Sequence, residues 1–297
     1  MLSATVRSST PPQQWTVLSL IEWASAHMRE KGFDESRLHV ELLLAYVLQL
    51  ERIHLYTNFD RPLNPEELAA FKTLFLRRLA HEPLQYIIGE TSFMGFDLFV
   101  DKNVLIPRPE TELLVERVVE YINRVTSDQV EVLDIGTGSG NIPVALAKFA
   151  SKARITSVDV SAEALAVAAR NIKRHAVNAV TLIQGDIFGD MLSGREFDLI
   201  ISNPPYISLQ EFQGLQPEVR DHEPRIATTD EDDGFKFIRR IAQLASLNLK
   251  SGGAVLIEIA YNQSANAMQL LGDAGLVEVE CFPDYAGIPR IVKAVKA

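Results

Sequence analysis

A single cysteine, Cys281, stands among 297 residues. That excludes an internal disulfide and leaves no thiol set for a structural zinc site. A reducing compartment, the cytoplasm, is the natural expectation. No run of about 18 apolar residues occurs, so no membrane-spanning helix and no membrane partner are expected. Positive charge is also scarce: 29 Lys and Arg face 39 Asp and Glu, a formal net charge of −10. Binders of duplex nucleic acid usually carry a basic excess to neutralise phosphates, and this chain carries the reverse. Disorder as the dominant state is excluded as well. Hydrophobic residues make up 47% of the chain, and a chain of this size buries a core without disulfides or metal. Length alone suggests about two domains.

Organisation along the chain agrees. Residues 1–14 are Ser/Thr-rich, lack the apolar core of a secretory signal, and read as a flexible tail. Residues 15–89 carry helical patterns with sparse Gly and Pro, including a stripe of Leu68, Phe71, Phe75 and Leu79. Asn64-Pro65-Glu66-Glu67 opens that stripe as a capping box with proline at the first helical position. The product expected is a small helical domain, on which Arg77-Arg78 read either as a small basic patch for an acidic partner surface or, equally, as a solvated pair. Residues 90–108 resemble a hairpin linker turning at Gly95. A helix carrying Leu114, Val115, Val118, Val119 and Ile122 follows.

From residue 130 the pattern changes to short apolar strands (130–134, 155–159, 180–184, 198–202, 254–259) alternating with helices (142–149, 162–175, 235–249). Such alternation implies an α/β domain over 109–297, with a mostly parallel sheet covered on both faces. Runs at 277–282 and 291–295 add an antiparallel edge.

The chemistry sits at the strand ends. The first strand ends in Asp134-Ile135-Gly136-Thr137-Gly138-Ser139-Gly140. Glycines there let the backbone turn sharply and approach a ligand, but an ordinary strand-to-helix turn would look similar. The second strand ends at Asp159, whose carboxylate suits the two hydroxyls of a ribose. The third ends in Gly185-Asp186-Ile187, where a carboxylate and an apolar side chain suit an adenine amine and ring. Either aspartate alone could equally be a helix cap. Together the three strand ends favour one adenosine-like ligand, and the G-x-G-x-G spacing points to S-adenosylmethionine rather than NAD. The fourth strand ends in Ser202-Asn203-Pro204-Pro205-Tyr206. Two prolines remove two N–H donors, leaving the Asn203 side-chain oxygen and the Pro204 carbonyl to accept from a planar NH2 group against the Tyr206 ring.

This Asn-Pro-Pro-Tyr sequence after a glycine-rich core resembles amino-methyltransferases that modify adenine N6 or glutamine N5. More narrowly, the chain resembles the glutamine N5-methyltransferases of peptide chain release factors (PrmC/HemK). The resemblance rests on Glu82-Pro83-Leu84-Gln85-Tyr86-Ile87-Ile88-Gly89, Ile106-Pro107-Arg108-Pro109-Glu110-Thr111-Glu112, the glycine motif, Asn203-Pro204-Pro205-Tyr206, Pro217-Glu218-Val219-Arg220 and Ala286-Gly287-Ile288-Pro289-Arg290. It implies a helical substrate-recognition domain, a hairpin linker and a seven-stranded Rossmann-like class I methyltransferase domain. It also implies methyl transfer from S-adenosylmethionine to the Gly-Gly-Gln glutamine of a release factor, by a monomer. The implied cofactor residues are Gly136, Thr137, Gly138, Ser139, Gly140, Asp159, Asp186, Ile187 and Asn203. The implied catalytic and substrate residues are Asn203, Pro204, Pro205 and Tyr206, with no metal.

An adenine N6-methyltransferase is the first rival; acidity and the lack of a target-recognition domain or basic channel oppose it. A nicotinamide oxidoreductase is the second, opposed by the glycine spacing. A non-catalytic cofactor sensor is opposed by the complete Asn203 tetrapeptide. One departure from the family pattern stands out: Asp230-Glu231-Asp232-Asp233 before Gly234 reads as a solvated acidic loop.

Overall fold

The computed structural model describes residues 14–297, which divide into two compact units meeting between Ile88 and Gly89. The tail read over 1–14 lies, but for its last residue, outside the described residues.

The first unit is helical: α1 (Val17–Glu30), α2 (Ser36–Leu48), α3 (Arg52–Tyr56), α4 (Pro65–Leu79) and α5 (Leu84–Ile88). The cap read at Asn64 is present, with its side chain accepting from Glu67 N at 2.8 Å while Glu67 accepts from Asn64 N at 3.0 Å. The stripe behind it delivers Phe71 and Phe75 to a core with Ile21, Met28, Leu43 and Leu44. The basic patch considered at Arg77-Arg78 is absent. Arg77 forks onto the Glu82 carboxylate at 2.5 and 2.8 Å. Arg78 is 5% exposed, stacks on Phe33 and donates to the Glu82 carbonyl. Both cations are spent on closing the helical unit.

In the second unit, β1 (Glu90–Phe93) and β2 (Phe96–Phe99) form the expected antiparallel hairpin. The hairpin belongs to this unit's core, through Phe93 and Leu98. After it come α6 (Pro109–Arg124), β3 (Val130–Ile135), α7 (Asn141–Phe149), β4 (Ala153–Asp159), α8 (Ala162–Arg174), β5 (Val180–Gln184) and β6 (Phe197–Ser202). Three short helices, α9 (Leu209–Phe212), α10 (Pro217–His222) and α11 (Arg225–Thr228), lead to α12 (Lys236–Asn248), β7 (Leu249–Glu258), α13 (Ser264–Asp273), β8 (Val277–Pro283) and β9 (Pro289–Val295).

The sheet has seven strands in the order β5-β4-β3-β6-β7-β9-β8. It is parallel from β5 to β7, with β9 antiparallel to both of its neighbours. Strands β3 and β6 are almost wholly buried, as strands covered on both faces must be. Leaving β3, the chain winds outward to β4 and β5 and then returns to β6 on the other side. The crevice opened at such a reversal, outside the carboxyl ends of the strands, is where ligands bind in open α/β sheets.

One buried side chain ties this crevice to its surroundings. Asn171 on α8 accepts from Phe99 N at 2.7 Å and donates to the carbonyls of Phe99 at 2.9 Å and Ser139 at 2.8 Å. It therefore fastens both the hairpin and the glycine turn to α8. Asn171→Ala strands these groups without partners, and chemical denaturation is expected to show a loss of about 1–3 kcal/mol. Unchanged stability would deny the fastening.

Candidate active site

The glycine motif leaves β3 with positive φ at Gly136, Gly138 and Gly140, 76°, 53° and 79°, a conformation that side chains resist. Gly140 has a second constraint. A Cβ there would stand 3.1 Å from the Cα of Ala168, so the close approach of the turn to α8 requires glycine. Gly136 N and Thr137 N both donate to the Val158 carbonyl at 2.8 and 3.2 Å, which holds the turn over β4.

Asp159, at the end of β4, accepts from Gly138 N at 2.9 Å through Oδ2 and from Ser161 N at 3.0 Å through Oδ1. Each carboxylate oxygen retains a further lone pair. Burial pushes this carboxyl above its usual range, against the pull of those backbone N–H groups. The helix-capping role that the sequence left open for Asp159 falls instead to Ser161, whose hydroxyl accepts from Ala164 N at 3.0 Å. Asp186 Oδ1 accepts from Phe188 N at 2.9 Å, which leaves Oδ2.

These groups surround one cavity of about 430 Å³, within the span usual for small-molecule sites. Its lining includes Gly136, Thr137, Gly138, Ser139, Asp159, Asp186, Ile187, Asn203, Pro204 and Pro205. Gly140 and Tyr206 lie outside the lining. Gly140 serves the turn's packing, and the Tyr206 hydroxyl makes a long hydrogen bond of 3.4 Å to Glu258. Phe188 and Phe237, edge to face at 5.5 Å, supply an apolar wall that the sequence did not signal.

Other lining groups include Leu105, Pro107 and Arg108 before α6, Thr111, and Thr229, Asp230 and Glu231 after α11. Thr111 Oγ1 accepts from Asn203 Nδ2 at 2.9 Å. The buried Glu223 carboxylate accepts from Arg108 at 2.5 Å and from Ile106 N at 3.4 Å, clamping the chain before α11 to the chain before α6. The acidic stretch departs from its reading as a solvated loop at Asp230 alone, while Glu231, Asp232 and Asp233 are exposed as expected. Asp230 is 2% exposed and accepts from Asp232 N at 2.9 Å and Lys236 N at 3.0 Å. Glu231 pairs with Arg225, and Asp233 with Arg239. Charges that look solvated in sequence here tie down the start of α12 and the cavity rim.

Beneath the glycine turn lies Asp134, wholly buried, with neither oxygen in a well-formed hydrogen bond. The Thr137 and Ser157 hydroxyls beside it favour its ionised form, but burial dominates and pushes the carboxyl from 3.8 to about 7.

The sheet order, the reversal crevice and the glycine turn define a class I methyltransferase fold. A methyltransferase crystal structure from Pyrococcus furiosus shares that fold, with a TM-score of 0.51 and 20% identity, covering 76% of this chain and 98% of that one. Residues 19–89 match the model of the PrmC N-terminal domain, and residues 109–215 match that of the methyltransferase small domain. A release factor glutamine methyltransferase from Geobacter sulfurreducens is 43% identical over 281 residues, spanning 95% of this chain and 97% of that protein. Its namesake from Chlorobaculum tepidum is 42% identical over 284 residues, spanning 93% and 96%. The chain belongs to the release factor glutamine methyltransferase family.

Asp134 yields a pH prediction. A carboxyl whose folded pKa is raised contributes its full stability below the unfolded value, and loses it as pH climbs through the folded value. Asp134→Asn removes that cost. In the unliganded protein its melting temperature, relative to the unaltered chain, should be several degrees higher at pH 8 than at pH 5. A difference independent of pH would contradict the assignment.

Proposed function

We propose that this chain transfers a methyl group from S-adenosylmethionine to the side-chain amide nitrogen of a glutamine in peptide chain release factors. Family membership supports the reaction. The observation that carries the site assignment is the Asn203 amide, whose nitrogen donates to Thr111 and so leaves Oδ1 as its acceptor beside the Pro204 carbonyl.

The residues present fit the cofactor. Asp159 has a spare lone pair on each oxygen for paired ribose hydroxyls, and Asp186 has Oδ2 for an adenine amine beside Ile187. The backbone of Gly136, Thr137, Gly138 and Ser139, which line the cavity, would be available to the polar groups of the ligand, with Gly140 setting the turn. When bound, S-adenosylmethionine supplies a sulfonium methyl as the electrophile.

The substrate amide nitrogen is a weak nucleophile because its lone pair is delocalised into the carbonyl. Asn203 Oδ1 and the Pro204 carbonyl each accept one of its hydrogens, which orients the nitrogen and raises its electron density. Pro204 and Pro205 present no N–H that would compete. Tyr206, outside the cavity lining, holds the end of this turn through its hydroxyl on Glu258 rather than touching the amide. No strong base is required, since an N-methylated, protonated amide is acidic enough to release its proton readily. The helical unit grips the protein substrate and takes no part in the chemistry.

Three outcomes test this reading. Asp159→Ala should weaken cofactor binding by about 1–3 kcal/mol in calorimetry; an unchanged affinity removes Asp159 from the site. Asn203→Ala should lower turnover on a release factor by about 10²–10³ while retaining most cofactor affinity. Near-parental turnover by that folded variant would sink the amide clamp. A chain beginning at Gly89 should bind cofactor yet fail to methylate intact release factor, and full-rate methylation would refute the division of labour.

A further inference from the structure

The two prolines that free the Pro204 carbonyl for a substrate also leave their turn unable to hold itself. Neither Pro204 nor Pro205 has an N–H to donate, and the rings fix φ at both positions. The aim of the Pro204 carbonyl therefore depends on where the chain is held next, at Tyr206. That hold comes from outside the turn. Gln263, 5% exposed at the start of α13, donates through Nε2 to the Tyr206 carbonyl at 2.9 Å. The same nitrogen donates to the Gly234 carbonyl at 3.1 Å, and Oε1 accepts from Ala260 N at 3.0 Å. A side-chain amide offers N–H donors at one end and an acceptor at the other. Two carbonyls and one N–H thus fit Gln263 in a single orientation. Gly234 is shaped to this bridge: its φ is +86°, and a Cβ there would lie 2.8 Å from the Tyr206 carbonyl oxygen and 2.9 Å from Gln263 Nε2. Any side chain would fill the space through which Gln263 reaches the turn.

The geometry points to Gln263 as the positioning residue that aims the Pro204 carbonyl at the substrate amide. This rests on the reading of Asn203 and Pro204 as an amide clamp. Gln263 does not line the cavity, so it acts through the turn rather than on substrate or cofactor. Other bonds near Tyr206 fix different groups. The hydroxyl on Glu258 holds the ring. Past the turn, Ile207 N donates to the Thr228 carbonyl at 3.4 Å, Asp230 N to the Ile207 carbonyl at 3.3 Å, and Leu209 N to the Asp232 carbonyl at 3.0 Å. The Tyr206 carbonyl is left to Gln263. The two halves of the clamp then have separate supports: Thr111 holds the Asn203 amide, and Gln263 holds the peptide that follows the prolines.

The test compares Gln263→Met and Gln263→Glu with the full unaltered chain. Methionine keeps the length and removes every hydrogen bond, whereas glutamate keeps the acceptor for Ala260 N. Gln263→Met should lose roughly 10–100-fold in kcat on release factor, a cost typical of a misplaced reacting group. KM for the release factor and affinity for S-adenosylmethionine should hold. In Gln263→Glu only the neutral carboxyl can donate to a carbonyl, and burial raises its pKa. Its kcat, relative to the unaltered chain at the same pH, should therefore recover as pH falls, while the Gln263→Met deficit stays constant. A readout free of any substrate comes from isotope labels on proline carbonyls and tyrosine nitrogens. Pro205-Tyr206 is the only Pro–Tyr step in the sequence, so this labelling singles out the Tyr206 amide resonance, which should move in Gln263→Met. Full kcat in Gln263→Met, a parallel loss of cofactor affinity and melting temperature, a pH-independent deficit in Gln263→Glu, or an unmoved Tyr206 resonance would each overturn the proposal. Failure of the unaltered chain to methylate glutamine would count against the assigned reaction instead, and the resonance would still decide the role of Gln263.

Discussion

The parallel pairing of β3 with β6 is the constraint on which the rest of the site depends. Their register sets Ile135 opposite Ser202, and the buried Ser202 hydroxyl donates to the Ile135 carbonyl at 2.8 Å. Past that bond the two strands part company, one into the glycine turn and the other into two successive prolines. A slip of one residue would turn every inward side chain of a strand outward. Both strands are buried on both faces, so such a slip would carry a prohibitive packing cost. The glycine turn and the Asn203 turn are thereby held at one crevice, at the point where the winding of the chain across the sheet reverses.

Around this crevice the molecule retains ionisable groups that burial penalises: Asp134 under the glycine turn, Glu223 on Arg108, and Glu258 behind Tyr206. Only Glu223 has a direct cation contact. The other two are incompletely hydrogen-bonded, which makes their burial costly. Groups retained at such cost beside a cavity commonly mark a functional site. Here each sits next to an element that forms the lining. Asp134 lies below Thr137, Glu223 anchors the segment before α11, and Glu258 accepts from the Tyr206 hydroxyl.

Much of this was legible in the sequence, for a local reason. The strands, and the glycine turn, Asp159, Asp186 and Asn203 at their ends, are written contiguously. Alternation into helices announces the parallel sheet, and a parallel sheet brings its strand ends together. What stayed hidden is what tertiary contact supplies. Thr111 and Asn203 are 92 positions apart, and Ile106 and Glu223 are 117 apart. Asn171 reads as one more polar residue on an amphipathic helix until its amide is seen between Phe99 and Ser139. Two readings failed because charge in sequence does not reveal its partner. Arg77 and Arg78 are consumed by Glu82 and Phe33, and Asp230 is buried as a cap rather than solvated.

The central claim is chemical, that the nucleophile is the amide nitrogen of a protein glutamine. The direct measurement incubates the full chain with S-adenosylmethionine carrying a labelled methyl group, a purified release factor and, in parallel, DNA and RNA. Mass spectrometry then locates the label. The account predicts one added methyl on the side-chain nitrogen of a single release-factor glutamine and none on nucleic acid. Label on adenine, or on any release-factor residue other than glutamine, would contradict it.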